Sequence, residues 1–588
     1  MSRIRYLLAI LLGLFAVLTL LDRFVLVELL VRRTFLPLLL AAGLALAAIG
    51  FGALARRAKH VDLPLDLLLG YPLFGTLCFL VATLKIAAWT LVPIAALGAI
   101  AAVVLLWRRS TDEAYVAPVY PPLQWSAMAV AAVLVCALVA AQAPPASLDE
   151  LAYHLAVPHT WVLEGRAVEL PLLSQSYFPL GIESADLLPI LLLGPSDGGV
   201  ASHLLHLLAA LATTLLVLRR TQSWLATAAI VTTPALAITA GWSLVDWPLA
   251  GLFVALYMTL EDGDLDTASA ATAAGLLTKY TFAPFALLAW AVTFARTRRL
   301  PRWPALLGVV FFARNLLLTG NPLAPFFGAD APHVSGFRDL DLHDYLFQST
   351  ILGLAGYVFE GRFLDEALGA AIVALPVFAA GGIAIGAALL VVALFFLAPS
   401  SRILVPFLVV PSLSAAPALR RRILAVLIAV AVVVQTFLVI WFAARTTAFS
   451  LLAGTATEEE YLRRQRPAYA STEWLNLQLP PDSRTLLIGH GESYWFSRRI
   501  RGGGNFDGPR ISRYLSLPTP EALHARLRAD GITHIAIVTP AIPTAVEEKR
   551  EERQTTLSPA AQRMLAQTLD RYAATMTSRG NATLFALR

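Results

Sequence analysis

Charge is scarce in this 588-residue chain. Asp, Glu, Lys and Arg together make up 14% of it, against about 25% in a soluble domain. Hydrophobic residues reach 58%, where a soluble domain carries roughly 45–50%, and the mean hydropathy is +0.69. That leaves too little polar surface to dissolve the chain in water and too much apolar side chain for disorder, so most of it sits in lipid. Cysteine is nearly absent. Cys78 and Cys136 both lie inside apolar stretches and make no disulfide framework. Internal repeats and low-complexity tracts are missing. So are common phosphate-loop and hydrolase signatures. "RRIRGGGNFDGPR" is glycine-rich and basic but lacks the Walker spacing and its Lys-Ser/Thr, and reads as a turn near anionic headgroups. "HGES" at 490–493 is not Gly-x-Ser-x-Gly. A net charge of +6 does not point to nucleic acid, because the basic residues stand in short clusters between apolar runs, where topology signals lie.

About 20 mostly apolar residues cross a bilayer as a helix. Apolar runs occupy 6–21, 34–54, 66–86, 89–107, 123–142, 200–218, 223–242, 247–260, 303–318, 403–419 and 423–442. Two shorter runs, 268–278 and 282–294, flank Lys279, and the long run 367–397 divides at Gly381-Gly382. The expectation is a polytopic all-α membrane protein of about 13–15 transmembrane helices. Basic clusters mark cytoplasmic ends. Arg3 and Arg5, Arg56, Arg57 and Lys59, Arg108 and Arg109, Arg219 and Arg220, the group 296–302, and Arg420 to Arg422 agree on one register; Arg23, Arg32 and Arg33 do not. The first run has a basic start and no clear cleavage site, and so reads as an anchor. This register places 143–199, 319–366 and everything after about 445 outside the cytoplasmic (in a bacterium, inner) membrane. Beyond 445 the chain turns polar, with the alternating runs "TLLIG" and "HIAIV" around the helix-like "PTPEALHARLRAD", the pattern of a small extracytoplasmic α/β domain. Three regions are expected: N-terminal helices over 1–110, a membrane core over 111–444, and a soluble domain over 445–588.

The informative residues are charges at the outer ends of spans, since ionisable groups near a bilayer are costly and functional by default. Asp149 and Glu150 follow a Pro-rich exit from a span. Asp149 can cap the helix beginning "ELAYHLAVPHTW"; alternatively it is a boundary carboxylate able to take a proton from a hydroxyl or hold a divalent cation. Asp246 stands in "GWSLVDWPLAG", where a helix start with Pro248 is the plain reading. Lys279 in "GLLTKYTFAPF", Arg314 in "FFARNLLLTGNP" and Arg402 in "FFLAPSSRILVPF" can each be interface anchors. Together they bring two acidic and three cationic sites to one leaflet, as a site for a phosphate-linked lipid requires: cations for the phosphate and a carboxylate for the incoming hydroxyl. Tyr153 and His154 lie beside Asp149 on the same helix and are candidate substrate contacts; a partly buried structural role is an equal reading of His154. His203 and His206 are three apart at a span end, with no third ligand placed by sequence, and read as packing.

Four of these motifs resemble a family. "LDELAYHL" resembles the Asp-Glu-x-x-Tyr start of the first periplasmic loop in lipid-carrier-dependent glycosyltransferases of the glycosyltransferase C superfold, such as the aminoarabinose transferases and protein O-mannosyltransferases. "LLTKYTFAPF" is similar to their Leu-Thr-Lys element, "FFLAPSSRILVPF" to the basic element before a late span, and "ARNLLLTGNPLAPFF" to a turn frequent in bacterial members. The resemblance covers about residues 123–440. It implies transfer of a sugar from a polyprenyl-phosphate-type donor to a lipid, glycan or protein acceptor at the outer face. It also implies Asp149 as the catalytic carboxylate with Glu150 beside it, and Lys279 and Arg402 near the carrier phosphate. Ala152 stands where the aminoarabinose branch has Arg, so the resemblance does not extend to that donor. Asp246 is the other catalytic candidate, and metal need is left open. The rival class is a transporter or lipid flippase, whose charges would line a path at mid-membrane; here they gather at span ends.

Overall fold

A computed structural model describes residues 34–111, 119–326, 368–397, 401–504, 507–539 and 557–588. The expected first span at 6–21 and most of the expected outer loop 319–366 lie outside the described residues. Within them, six helices are long and apolar enough to cross a bilayer, Leu36–Ala55, Leu63–Ala82, Ala88–Arg109, Glu183–Thr221, Arg402–Arg420 and Arg422–Arg445. Shorter apolar helices, Trp125–Ala141, Phe282–Thr297, Trp303–Thr319 and Gly382–Leu394, stand with them. The chain is a polytopic helical membrane protein with one small sheet. The single span expected at 223–242 is instead a pair, Trp224–Val231 and Pro234–Gly241, bent by 73°. Pro234 has no N–H to continue the first helix, and the Thr232 hydroxyl returns to the carbonyl of Ala228.

Burial separates centre from periphery. Leu63–Ala82 is 83% buried, whereas Arg422–Arg445 is 28% buried and leaves Ile423, Val426, Leu427 and Phe437 exposed, as lipid-facing helices do. Small residues let the central helices touch backbone to backbone. A Cβ on Gly70 would lie 1.7 Å from the carbonyl of Ala48, and one on Gly75 1.8 Å from that of Gly181. The second contact seats the returning arm of the 143–199 segment directly on the Leu63–Ala82 helix.

The charges sort to two ends of the bundle. At one end Arg56 meets Asp66 at 2.5 Å, Arg219 meets Asp62 at 2.6 Å, Arg220 meets Asp262 at 3.7 Å and Arg302 meets Asp266. The helices Asp246–Glu261 and Leu265–Thr278 run from and to the other end, so Asp246 and Lys279 emerge together there.

After Arg445 the chain forms a five-stranded sheet of β1 (Arg484–Ile488), β2 (Arg499–Gly502), β3 (His534–Val538), β4 (Ala573–Arg579) and β5 (Ala582–Leu587). The order is β2-β1-β3-β5-β4. β1 lies parallel to β2 and β3, and β5 antiparallel to β3 and β4. The strand–helix–strand expectation is met by β1, the helix Pro520–Ala529 and β3. The basic glycine-rich stretch, expected to be a turn, supplies β2, because Ile500 is buried beneath the sheet.

Candidate functional site

Trp125–Ala141 ends in Gln142, and the chain then passes through Pro144 and Pro145 to Asp149. Residues Glu150–His154 form one turn of π-helix, closed by the N–H of Leu155 on the carbonyl of Glu150 at 3.0 Å. Such turns are rare and recur at functional sites. The wide turn leaves the Leu151 carbonyl to outside donors, and the backbone N–H groups of Ser493 and Tyr494 both donate to it, at 2.9 and 3.1 Å.

The expected N-cap at Asp149 is not made. Its backbone is already helical and its side chain makes no capping bond. Arg402 takes the carboxylate instead. Its Nη1 donates to Asp149 Oδ2 at 2.7 Å, while Nε and Nη2 both donate to Asp246 Oδ2 at 3.1 and 2.9 Å. Lys279 Nζ stands 3.6 Å from the other oxygen of Asp246. Four side chains from four separate segments thus close a charge-balanced cluster. Asp246 is 2% exposed, Arg402 14%, Asp149 22% and Lys279 24%. Desolvation opposes ionisation of Asp149, but Arg402, helped by His154, outweighs it and holds the carboxyl below its ordinary value.

Glu150 faces away from this cluster. Its Oε1 meets His203 Nε2 at 2.7 Å and accepts from the N–H of Ser243 at 2.6 Å, and Oε2 accepts from the N–H of Ser147 at 3.0 Å. Burial works against its charge, yet His203 and these backbone donors hold its pKa below the ordinary value. The arrangement locks the loop. Arg314 is also elsewhere: it donates to the carbonyl of Ser176 at 2.8 Å and lies over the rings of Phe79 and Tyr177. Nearby, Tyr280 donates to the carbonyls of Tyr177 and Ala324 at 3.0 and 2.9 Å, tying the loop to the residue after Lys279. Tyr153 and His154 are buried against each other, ring centroids 4.0 Å apart. His154 Nδ1 meets Glu183 Oε1 at 2.8 Å, and His206 meets Tyr71 at 3.0 Å.

Two features escaped sequence reasoning. Glu183 is a carboxylate at the start of a span, a signal of the kind that singled out Asp149, but it stands 34 residues along in "FPLGIESADLLPI" with nothing to say it returns to His154. The segment around "HGES" is no nucleophile elbow; it docks the C-terminal unit on the loop. Besides the two bonds to Leu151, Trp495 Nε1 donates to the carbonyl of Pro145 at 3.2 Å, and Glu164 pairs with Arg484 and Arg501 at 3.0 and 2.9 Å.

No three metal-ligating side chains converge among the described residues. Asp149 and Asp246 share one guanidinium, so a divalent cation would have to displace Arg402 to reach both. The donor set does not fit a metal.

No protein-family model matches the chain, and no curated protein matches it. Its structure is similar to the crystal structure of ArnT from Cupriavidus metallidurans bound to undecaprenyl phosphate, with 15% identity and a TM-score of 0.45 over 79% of this chain and 98% of that one. It is similar to the apo state of the same protein, with 14% identity and a TM-score of 0.44 over 79% and 97%. It is also similar to the arabinofuranosyltransferase AftD from Mycobacteria, with 15% identity and a TM-score of 0.40 over 80% of this chain and 40% of that one.

Proposed function

We propose that this chain is a membrane glycosyltransferase that moves a sugar from a polyprenyl-phosphate-type donor to an acceptor at the outer face of the membrane. The observation that carries the reading is the convergence of Arg402 and Lys279 on Asp149 and Asp246 at the bundle end that bears the C-terminal unit. Two cations held by two carboxylates at a helix-end boundary are poised for partner exchange. An arriving lipid phosphate competes for Arg402, whose planar fork suits a phosphate, and for Lys279 as a point charge. The acceptor hydroxyl displaces the carrier at the anomeric carbon with inversion, and the leaving phosphate is stabilised by the two cations. Asp149, freed from Arg402, receives the hydrogen bond of the incoming hydroxyl. Arg314 is the loop's anchor in this scheme, and Glu150 its lock.

The test is binding of undecaprenyl phosphate by the purified full chain in detergent, read by native mass spectrometry. Arg402→Ala and Lys279→Ala should each weaken binding about tenfold or more, since each removes a charge-assisted contact of roughly 1.5–3 kcal/mol. Equal binding by both variants and the parent would return these residues to interface anchors.

A further inference from the structure

Asp149 is an acceptor of hydrogen bonds held in its ionised form by Arg402, which makes it a poor final home for a proton. A second group beside it is better built for that task. His154 is 1% exposed and Glu183 3%, and Nδ1 of the imidazole lies 2.8 Å from Glu183 Oε1. A carboxylate at Nδ1 draws the proton there and leaves Nε2 as the acceptor nitrogen. That Nε2 is buried with no hydrogen-bond partner among the described residues, an arrangement a resting structure does not keep without cost. The imidazole lies one turn from Asp149, on the π turn Glu150–His154 that Asp149 opens, and once protonated it acts electrostatically on both Asp149 and Asp246, so it belongs to the same site.

We infer that His154 is the proton acceptor of the transfer reaction and Glu183 its positioning residue; this rests on the glycosyltransferase reading above. As the acceptor oxygen forms its bond to the anomeric carbon, its proton passes to Nε2. The carbon–oxygen bond to the carrier breaks, and its electron pair leaves on the phosphate beside Arg402 and Lys279. The imidazolium so formed is stabilised by Glu183 and returns its proton to water after product release. The charged and titratable groups around His154 are Asp149, Glu150 and Tyr153 on its own segment, Glu183 and His206 from the following helix, Asp246, and Arg402. The cluster of Asp149, Asp246 and Arg402 loosens when a phosphate takes the guanidinium, and that opens the imidazole to the acceptor.

The experiment uses the full chain in proteoliposomes with a panel of undecaprenyl-phosphate-linked hexoses and pentoses. Release of undecaprenyl phosphate is followed against pH, and lipid binding is measured in parallel. His154→Asn keeps a donor toward Glu183 and removes the acceptor nitrogen. It should bind undecaprenyl phosphate within about twofold of the parent, transfer roughly a hundredfold or more slowly, and lose the acidic limb of the rate profile. Glu183→Gln keeps a hydrogen-bond acceptor but not the charge, and should move that limb to lower pH. Transfer by His154→Asn within tenfold of the parent with its acidic limb intact, or an unmoved limb in Glu183→Gln, overturns the dyad. A parent that binds no undecaprenyl phosphate overturns the function reading beneath it.

Discussion

Replacing Arg402 with lysine tests the centre of the site at the level of single bonds. The guanidinium reaches in two directions, with two charge-assisted bonds to Asp246 and one to Asp149. An ammonium is one point and cannot reach both carboxylates from the same stem. Arg402→Lys therefore loses at least one such bond, roughly 1.5–3 kcal/mol, and should bind undecaprenyl phosphate about ten- to a hundredfold less tightly than the parent. Arg402→Ala goes further. It leaves Asp246, 2% exposed, with Lys279 at 3.6 Å as its one remaining ion-pair partner among the described residues. Removing one member of a buried pair costs about 3–5 kcal/mol, most of it the stranded charge; the Asp149 half, more exposed, contributes less. It follows that Asp246→Asn should relieve much of the damage. The double variant should unfold at a higher temperature than Arg402→Ala alone, with a coupling energy of about 0.5–3 kcal/mol. Thermal unfolding of the detergent-solubilised full chain supplies all four corners of the cycle. The reasoning is refuted if Arg402→Lys equals the parent in unfolding temperature and lipid affinity, or if the Asp246→Asn loss simply adds to that of Arg402→Ala.

Asp149→Asn should fold well, because no cap is lost and Asn still offers Arg402 an oxygen, while transfer should drop about 10²-fold because the incoming hydroxyl loses the carboxylate that orients it; near-parental transfer would take that positioning role from Asp149. The same pair gives an acid dependence. Asp149 is held below its ordinary value, so its contribution to stability is present above the unfolded pKa and lost as pH falls through the folded one, a loss that should be missing in the Asn variant when unfolding is scanned below pH 4. Asp507 behaves oppositely. Burial pushes its carboxyl up to about 6, despite the bonds it accepts from the N–H and hydroxyl of Ser174 at 2.9 and 2.7 Å. Its stabilising contribution is therefore full below the ordinary carboxylate pKa and lost as pH rises through about 6. Asp507→Asn should flatten that slope in the unfolding of the C-terminal unit; an unchanged slope would place the titrating group elsewhere.

The sequence alone determined the solvent. So little charge and so many long apolar runs leave no soluble arrangement, and backbone groups in lipid must be satisfied as helices. It determined the change of character after Arg445, because alternation and a proline pair break the helical run. It also singled out Asp149, Asp246, Lys279 and Arg402, since charge near a bilayer is expensive enough to stand out in a string. What it did not determine is which charges meet. Arg402 lies 253 residues from Asp149 and 156 from Asp246, and no local rule links them. Glu150, adjacent to Asp149, faces the opposite way onto His203 because a helical turn of either width points successive side chains in different directions. The π turn, the return of Glu183 to His154, and the seating of Ser493 and Tyr494 on Leu151 all depend on which surfaces pack. That is a property of the folded bundle, where a segment's unmade hydrogen bonds are answered by residues hundreds of positions away.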